Sequence, residues 1–294
     1  MIKIAVISYG NIAKAAIDAC LAAPDMELVG VTSKRHAGDI AAGMKIAATV
    51  QELPPFDVAL ITTASRLAPD TAAELLARGV STVDSFDIHG EIPSLRARLH
   101  PIAVANKAVS IIAAGWDPGS DSVVRALMLA MTPQGITYTN FGPGMSMGHT
   151  VAVKAIAGVK DAISITIPTG ASVHRRMVYI ELEDGYAFDQ VAAAIKADDY
   201  FVHDETHVKF VDSVEELKDV GHGVLITRKG VAAAAHNQLL SYSATMNGPA
   251  LTAQIMLSAA RAATKQAPGC YTMIEIPPVD LLPMSRDDAV RALV

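Results

Sequence analysis

Met1-Ile2-Lys3-Ile4-Ala5-Val6-Ile7-Ser8-Tyr9-Gly10-Asn11-Ile12-Ala13 opens the chain: an apolar run short enough for one buried strand, a turn of small residues, then the start of a helix. That order brings unpaired backbone N–H groups and the positive end of a helix dipole to one point, where α/β folds bind phosphate. The three glycine positions of a G-x-G-x-x-G turn hold Ser8, Gly10 and Ala13. Gly10 keeps the position at which the backbone must touch a pyrophosphate, and Ala13 replaces a glycine that only serves close packing. Ser8 demands a turn that tolerates a Cβ. Ser8, Tyr9, Gly10, Asn11 and Ile12 are the candidate cofactor contacts of this turn.

A helix through Ala15 to Ala22 and a turn at Pro24-Asp25 lead to a second strand, Glu27-Leu28-Val29-Gly30-Val31-Thr32. A dinucleotide without a 2'-phosphate is gripped at the end of this strand by an acidic residue, whereas here the chain offers Ser33-Lys34-Arg35. Two cations and a hydroxyl suit a phosphate dianion, so NADP is expected in preference to NAD. A solvated basic turn is the plainer account of the same residues. The rhythm continues with Asp57–Thr62, a helix from Pro69 to about Arg78, Ser81–Phe86, a helix around Leu95 to Val104, and Ser110–Ala114. Counted as six strands, this implies a Rossmann-like, doubly wound parallel sheet, with ligands beyond the strand C-termini. Thr62, Thr63, Ala64 and Ser65, small and hydroxylated, join the expected cofactor contacts.

Composition narrows the class. The 294 residues are 51% hydrophobic and 18% charged, which excludes a disordered chain, and the net charge of -6 carries no basic block that would suggest nucleic acid. Cys20 and Cys270 are too few for a disulfide framework, no H-E-x-x-H occurs, and no metal site is expected. With Lys3 and Asp18 interrupting the apolar start, no signal peptide or membrane span is read, and a cytoplasmic enzyme is expected.

From about Pro118 the pattern changes. A helix from Asp121 to Met131 is followed by strands at Ala162–Ile167, Arg176–Leu182 and Val224–Arg228, with a helix at Phe188–Lys196, which reads as an α+β domain with an open mixed or antiparallel sheet. A long helix from Pro249 to about Ala263 is expected to return to the first domain, and proline and glycine break up the tail. The boundaries are drawn at 1–117, 118–244 and 245–294. Asp87 and Asp117 each follow an expected strand end, where two carboxylates can bind a cation such as a substrate ammonium or share a proton. Each could equally cap or shape a turn. In the second domain His174-Arg175-Arg176 and Gly221-His222-Gly223 each precede a strand, with Thr166 on another; arginine fits a carboxylate bidentately, and His or Thr adds a donor.

These segments resemble the meso-diaminopimelate dehydrogenases. The likeness is carried by Val83-Asp84-Ser85-Phe86-Asp87-Ile88-His89, Gly115-Trp116-Asp117-Pro118-Gly119, Phe141-Gly142-Pro143-Gly144-Met145-Ser146-Met147-Gly148-His149 and Gly221-His222-Gly223. It implies an NADP-dependent homodimer that reversibly deaminates the D-centre of meso-2,6-diaminopimelate to 2-amino-6-oxopimelate and ammonia. Asp87, Trp116 and Asp117 would surround the D-centre, Phe141, Met147 and Gly148 would line the pocket, and Thr166, Arg176 and His222 would hold the distal carboxylate. The chain departs from that pattern at Ser8, Ala13, Phe86 and Gly248, where family members carry glycine, glycine, tyrosine and asparagine. Met147 and Val151 stand where one branch has glutamine and aspartate. The less polar pocket resembles the branch that accepts simpler D-amino acids and 2-keto acids. On the residues alone, an oxidoreductase of another amino or hydroxy acid and a non-catalytic NADP-binding sensor stay open, although Lys107-Ala108 lacks the Lys-Pro pair frequent in polyol enzymes.

Overall fold

A strand buried on both faces needs apolar side chains at every position, and β1 meets that condition: Ile4 and Val6 pack into one core while Ala5 and Ile7 pack into another. The computed structural model describes residues 1–218 and 221–294, with Glu216 described through its backbone. In chain order the elements are β1 (Ile2–Ile7), α1 (Asn11–Ala22), β2 (Met26–Thr32), β3 (Ile40–Ala41), β4 (Met44–Lys45), β5 (Val58–Ile61), α2 (Ala68–Leu76), β6 (Ser81–Asp84), α3 (Ile92–Ala105), β7 (Val109–Ile112) and α4 (Ser120–Met131). They continue as β8 (Gln134–Phe141), β9 (Gly144–Met145), α5 (Met147–Lys154), β10 (Val159–Gly170), β11 (Val173–Leu182), α6 (Phe188–Ala197), β12 (Glu205–Phe210), β13 (His222–Ala232), β14 (Ala235–Met246), α7 (Gly248–Ala263), β15 (Gly269–Thr272) and α8 (Arg286–Leu293).

The chain divides into two compact units, Met1–Ala126 with Pro249–Val294, and Leu127–Gly248. The first holds a six-stranded parallel sheet in the order β15-β7-β6-β5-β1-β2. Helices α1 and α7 cover one face and α2 and α3 the other, which is double winding. Only five of the six strands lie in the stretch read as six; the last, β15, comes from the tail that reads as broken. Fully buried Ile4, Leu60, Ile111 and Ile112 each contribute about 1.5–3 kcal/mol by leaving water. The returning segment is pinned by Arg261, whose Nε and Nη2 donate to both carboxylate oxygens of Asp25 at 2.5 and 2.8 Å. That bidentate pair holds the Asp25 carboxyl below its ordinary value.

The second unit holds two sheets. One is mixed, in the order β12-β11-β10-β9, with β11 and β12 parallel; the other is antiparallel, in the order β14-β13-β8. Its core gathers Val153, Val178, Ile180, Val191, Ile195 and Phe201 beneath the mixed sheet. The residue 244 boundary drawn from the sequence falls inside β14, and His174, Arg175 and Arg176 lie within β11 rather than before it.

Candidate functional site

In the first unit β1 delivers the chain to Ser8, which adopts φ +96°, a left-handed conformation that costs a residue with a Cβ about 1–3 kcal/mol. Its N–H donates to the Thr32 carbonyl at 2.8 Å, tying the turn to the end of β2. Gly10 is the N-cap of α1, no side chain caps that helix, and its first turn carries no acidic residue. A Cβ built on Gly10 meets nothing within 4 Å, so the space outside the helix start is open. Open backbone and an uncompensated helix N-terminus are what a pyrophosphate requires. The Tyr9 ring meets His36 edge-on at 5.4 Å, and Lys14 Nζ stands 5.4 Å from the Tyr9 centroid. Lys34 and Arg35 are exposed and, among the described residues, pair with no carboxylate. Ser33 accepts the His36 N–H at 3.4 Å. These residues fit a dinucleotide carrying an extra phosphate.

The next two strand ends are built by hydrogen bonds. Thr62 is buried and donates to the Ile7 carbonyl at 2.8 Å, which ties the end of β5 to β1. Ser65, expected to face a nucleotide, donates to Asp87 Oδ1 at 2.6 Å and so joins the loops after β5 and β6. Beside it Asp84 is buried and accepts the N–H groups of Phe86 and Ala113 at 2.9 and 3.2 Å; burial raises its carboxyl to about 6. The loop after β7 folds tightly because Gly119 sits at φ +145°, where a Cβ would lie 1.8 Å from the Gly115 carbonyl oxygen. This turn presents Trp116 and Asp117. Asp117, its side chain 5% exposed, receives Arg125 Nη1 at 2.6 Å. No described hydrogen bond joins Asp87 to Asp117.

Arg125 and its neighbour Asp121 were not anticipated, although their i, i+4 spacing on α4 is a recognisable signal. Asp121 is buried, its Oδ2 has no hydrogen-bond partner among the described residues, and its carboxyl is raised to about 7 by burial and then by the negative charge of Asp117.

In the second unit Thr166 on β10 stands opposite Arg176 on β11, and both are buried. Arg176 Nη1 donates to Thr166 Oγ1, and Arg176 Nε donates to Asp204 Oδ2 at 2.6 Å. Strand alternation turns Arg175 the other way, where its half-exposed side chain pairs with Glu205 at 3.0 Å. Phe141 stacks near-parallel to His222 at 6.4 Å, and its N–H donates to His174 Nε2 at 2.8 Å. Gly142 and Gly144, at φ +91° and +150°, let this loop lie against its neighbours: Cβ atoms there would come within 2.2 Å of the Thr166 carbonyl oxygen and 1.8 Å of the Gly221 carbonyl oxygen. Met147 and Gly148 begin α5, whose His149 bonds Ser146 at 2.8 Å and packs edge-on against Tyr200 and Phe201. Burial first, then the charge of Arg176, lowers His149 to about 4, and the same two causes lower His174. The structure thus brings together Phe141, Thr166, Arg176 and His222, and adds Asp204, His149 and His174 to them. Asp204 carries no local sequence signal, because its role comes from Arg176, 28 residues away in the chain.

Residues 115–175 match the model of the diaminopimelic acid dehydrogenase C-terminal domain. The chain is 55% identical to the meso-diaminopimelate D-dehydrogenase of Bacteroides fragilis, across 100% of this chain and 99% of that one. It is 31% identical to the enzyme of the same name from Ureibacillus thermosphaericus, again over 100% and 99%. Among solved structures, C. glutamicum DAP dehydrogenase in complex with DAP superposes with a TM-score of 0.90 at 26% identity, covering 100% of this chain and 99% of that one. An engineered D-amino acid dehydrogenase bound to NADP+ superposes with a TM-score of 0.87 at 25% identity, covering 100% and 99%.

Proposed function

The chain belongs to the meso-diaminopimelate D-dehydrogenase family, and from that premise we propose that it catalyses the NADP-dependent, reversible oxidative deamination of meso-2,6-diaminopimelate at its D-centre. The observation that carries the reading is the end-to-end identity of 55%, and the roles given to Asp87, Trp116, Asp117, Thr166, Arg176 and His222 belong to the same proposal. It is an oxidoreductase acting on a CH–NH2 group, using a nicotinamide dinucleotide. NADP as the cofactor form is supported by exposed Lys34 and Arg35 at the end of β2, where a carboxylate would repel a 2'-phosphate.

When bound, the nicotinamide supplies the acceptor for the hydride leaving the D-carbon. The turn Ser8 to Ile12 holds the pyrophosphate on the α1 N-terminus, with Thr62 to Ser65 lining the loop after β5. Asp87 and Asp117 hold the substrate ammonium, and one of them takes the proton that it loses before C–H cleavage. Trp116 shields that carbon from solvent. Loss of that proton and of the hydride leaves an imine, water adds to its carbon while the nitrogen is still attached, and ammonia then departs to leave L-2-amino-6-oxopimelate. Arg176, Thr166 and His222 fix the distal carboxylate, and Phe141, Met147 and Gly148 line the pocket. Fixing both ends of a long diacid sets the reacting carbon in place. Because Met147 and Val151 add no polar group, the same reading includes simpler D-amino acids as slower substrates.

A homodimer belongs to this proposal and is supported by the solvent-facing side of the antiparallel sheet. There Leu239 and Ile136 flank Lys229 on neighbouring strands and are 65% and 52% exposed. A cytoplasmic location completes it; no described helix is long and apolar enough to cross a membrane. The test is NADPH formation from meso-, LL- and DD-diaminopimelate with wild-type protein and Asp117→Asn. The meso isomer should react fastest, and the variant should lose about 100-fold or more in kcat. Absence of NADPH with the meso isomer, or an unimpaired variant, refutes the reading.

A further inference from the structure

The Arg176 guanidinium does not stand alone: its Nε is taken by Asp204 Oδ2 at 2.6 Å, and the carboxylate is still 24% exposed. Among the described residues Arg176 is the only partner of that side chain, so Oδ1 is left to accept. Resting on the assignment of diaminopimelate as substrate, we propose that Asp204 binds the ammonium of the distal L-centre, so that Arg176 and Asp204 together recognise an α-amino-acid zwitterion rather than a bare carboxylate.

Charge accounting separates this from a simple brace. Among the described residues of the cluster formed with Phe141, Thr166, His149, His174 and His222, Arg176 and Asp204 are the only permanently charged side chains, and the pair presents no net charge. A distal carboxylate with no ammonium beside it would meet a cation already neutralised by its neighbour. A carboxylate and an ammonium on one carbon, also neutral in sum, match the pair group for group. His149 and His174, both lowered by burial and by Arg176, add no cation that would compete for Asp204. The neighbouring pair, Arg175 with Glu205, has the same chemistry but side chains 42% and 51% exposed, where water screens it. The less exposed pair is therefore the one placed to select a ligand. Register sets it up: β11 and β12 run parallel with Arg175 opposite Glu205, so Asp204 enters beside Arg176 at the start of β12.

The experiment compares meso-2,6-diaminopimelate with D-2-aminopimelate, which has the same chain and both carboxylates but a methylene in place of the distal CH–NH3+. Wild-type protein with NADP should favour the meso compound in kcat/KM by tenfold or more. Asp204→Asn, which can still accept from Arg176 Nε but carries no charge, should reduce that preference at least tenfold, the loss falling on the meso compound. Asp204→Glu should recover part of it. A parallel fall for both substrates in Asp204→Asn would show a positioning role for Arg176 alone and overturn the proposal. A wild-type enzyme that does not discriminate between the two compounds overturns it without any variant, which covers a variant that fails to fold. No turnover of the meso compound by wild type removes the functional reading itself; turnover with an unchanged ratio in Asp204→Asn removes only the role of Asp204.

Discussion

Ser8 holds φ +96° at the head of the cofactor turn with no glycine to make that conformation free. Replacing it by glycine releases about 1–3 kcal/mol of strain against a glycine entropy cost of about 0.5–1 kcal/mol. Ser8→Gly is expected to raise the melting temperature by about 2–4 °C. Calorimetry showing no rise would mean that the surrounding turn, through the Thr32 carbonyl bond, stabilises serine there. At the end of the neighbouring strand β2, Lys34 and Arg35 are predicted to decide the choice of dinucleotide. Lys34→Gln with Arg35→Gln should weaken NADP binding by about 10–100-fold, the value of one or two lost charged hydrogen bonds, and leave NAD within about twofold. Equal losses in a titration of both dinucleotides would remove the 2'-phosphate from these side chains. The choice of Arg176 over Arg175 was legible only through family resemblance; spacing left the two equal, and strand alternation separates them in the fold. Asp204 was not legible, since it gains its meaning from Arg176, 28 residues away in the chain, whereas Arg125 has a local signal in its spacing from Asp121.

Helix α4 carries a carboxylic acid where a carboxylate is expected. Between pH 4 and pH 7 folded Asp121 keeps a proton that the unfolded chain has released, so its contribution to stability is complete below pH 4 and is lost as pH rises to about 7. At ~1.4 kcal/mol per pH unit the loss is on the order of 4 kcal/mol. Asp121→Asn, which cannot ionise, should therefore gain on the wild type steadily from pH 4 to pH 7. Denaturant melts of the two proteins across that range isolate the group from His149, whose depressed value gives the opposite slope between about pH 4 and 6.5. Parallel pH curves would show that Asp121 ionises normally. At this scale the buried strands of the first sheet were legible because unbroken apolar runs have few other destinations. β15 was not: Gly269-Cys270-Tyr271-Thr272 is four residues long and lies just after Pro268. β12 and β14 do carry a period of two, with Val208 and Phe210 either side of Lys209, and Leu240, Tyr242, Ala244 and Met246 alternating with Ser241, Ser243 and Thr245; the signal is weak because even their inward faces are only half-buried.

At the scale of the whole molecule the exposed face of β14, β13 and β8 predicts association. Leu239→Lys together with Ile136→Lys should convert the proposed dimer to monomer in sedimentation without unfolding it, because both side chains face solvent in the isolated chain. A wild type that sediments as a monomer, or a variant that still dimerises, would place the interface elsewhere. The division of the chain has a separate bearing on how the protein is made. The unit from Leu127 to Gly248 is one uninterrupted stretch, whereas the parallel sheet needs α7 and β15, which follow it. During translation the inserted unit has all of its parts while the nucleotide half waits, with β7 a bare edge and the Ile4 and Val6 side uncovered by α7. Until Pro249 onward leaves the ribosome, this half is the one that chaperones have to guard, and a message cut short before that point yields a chain prone to aggregate through β7.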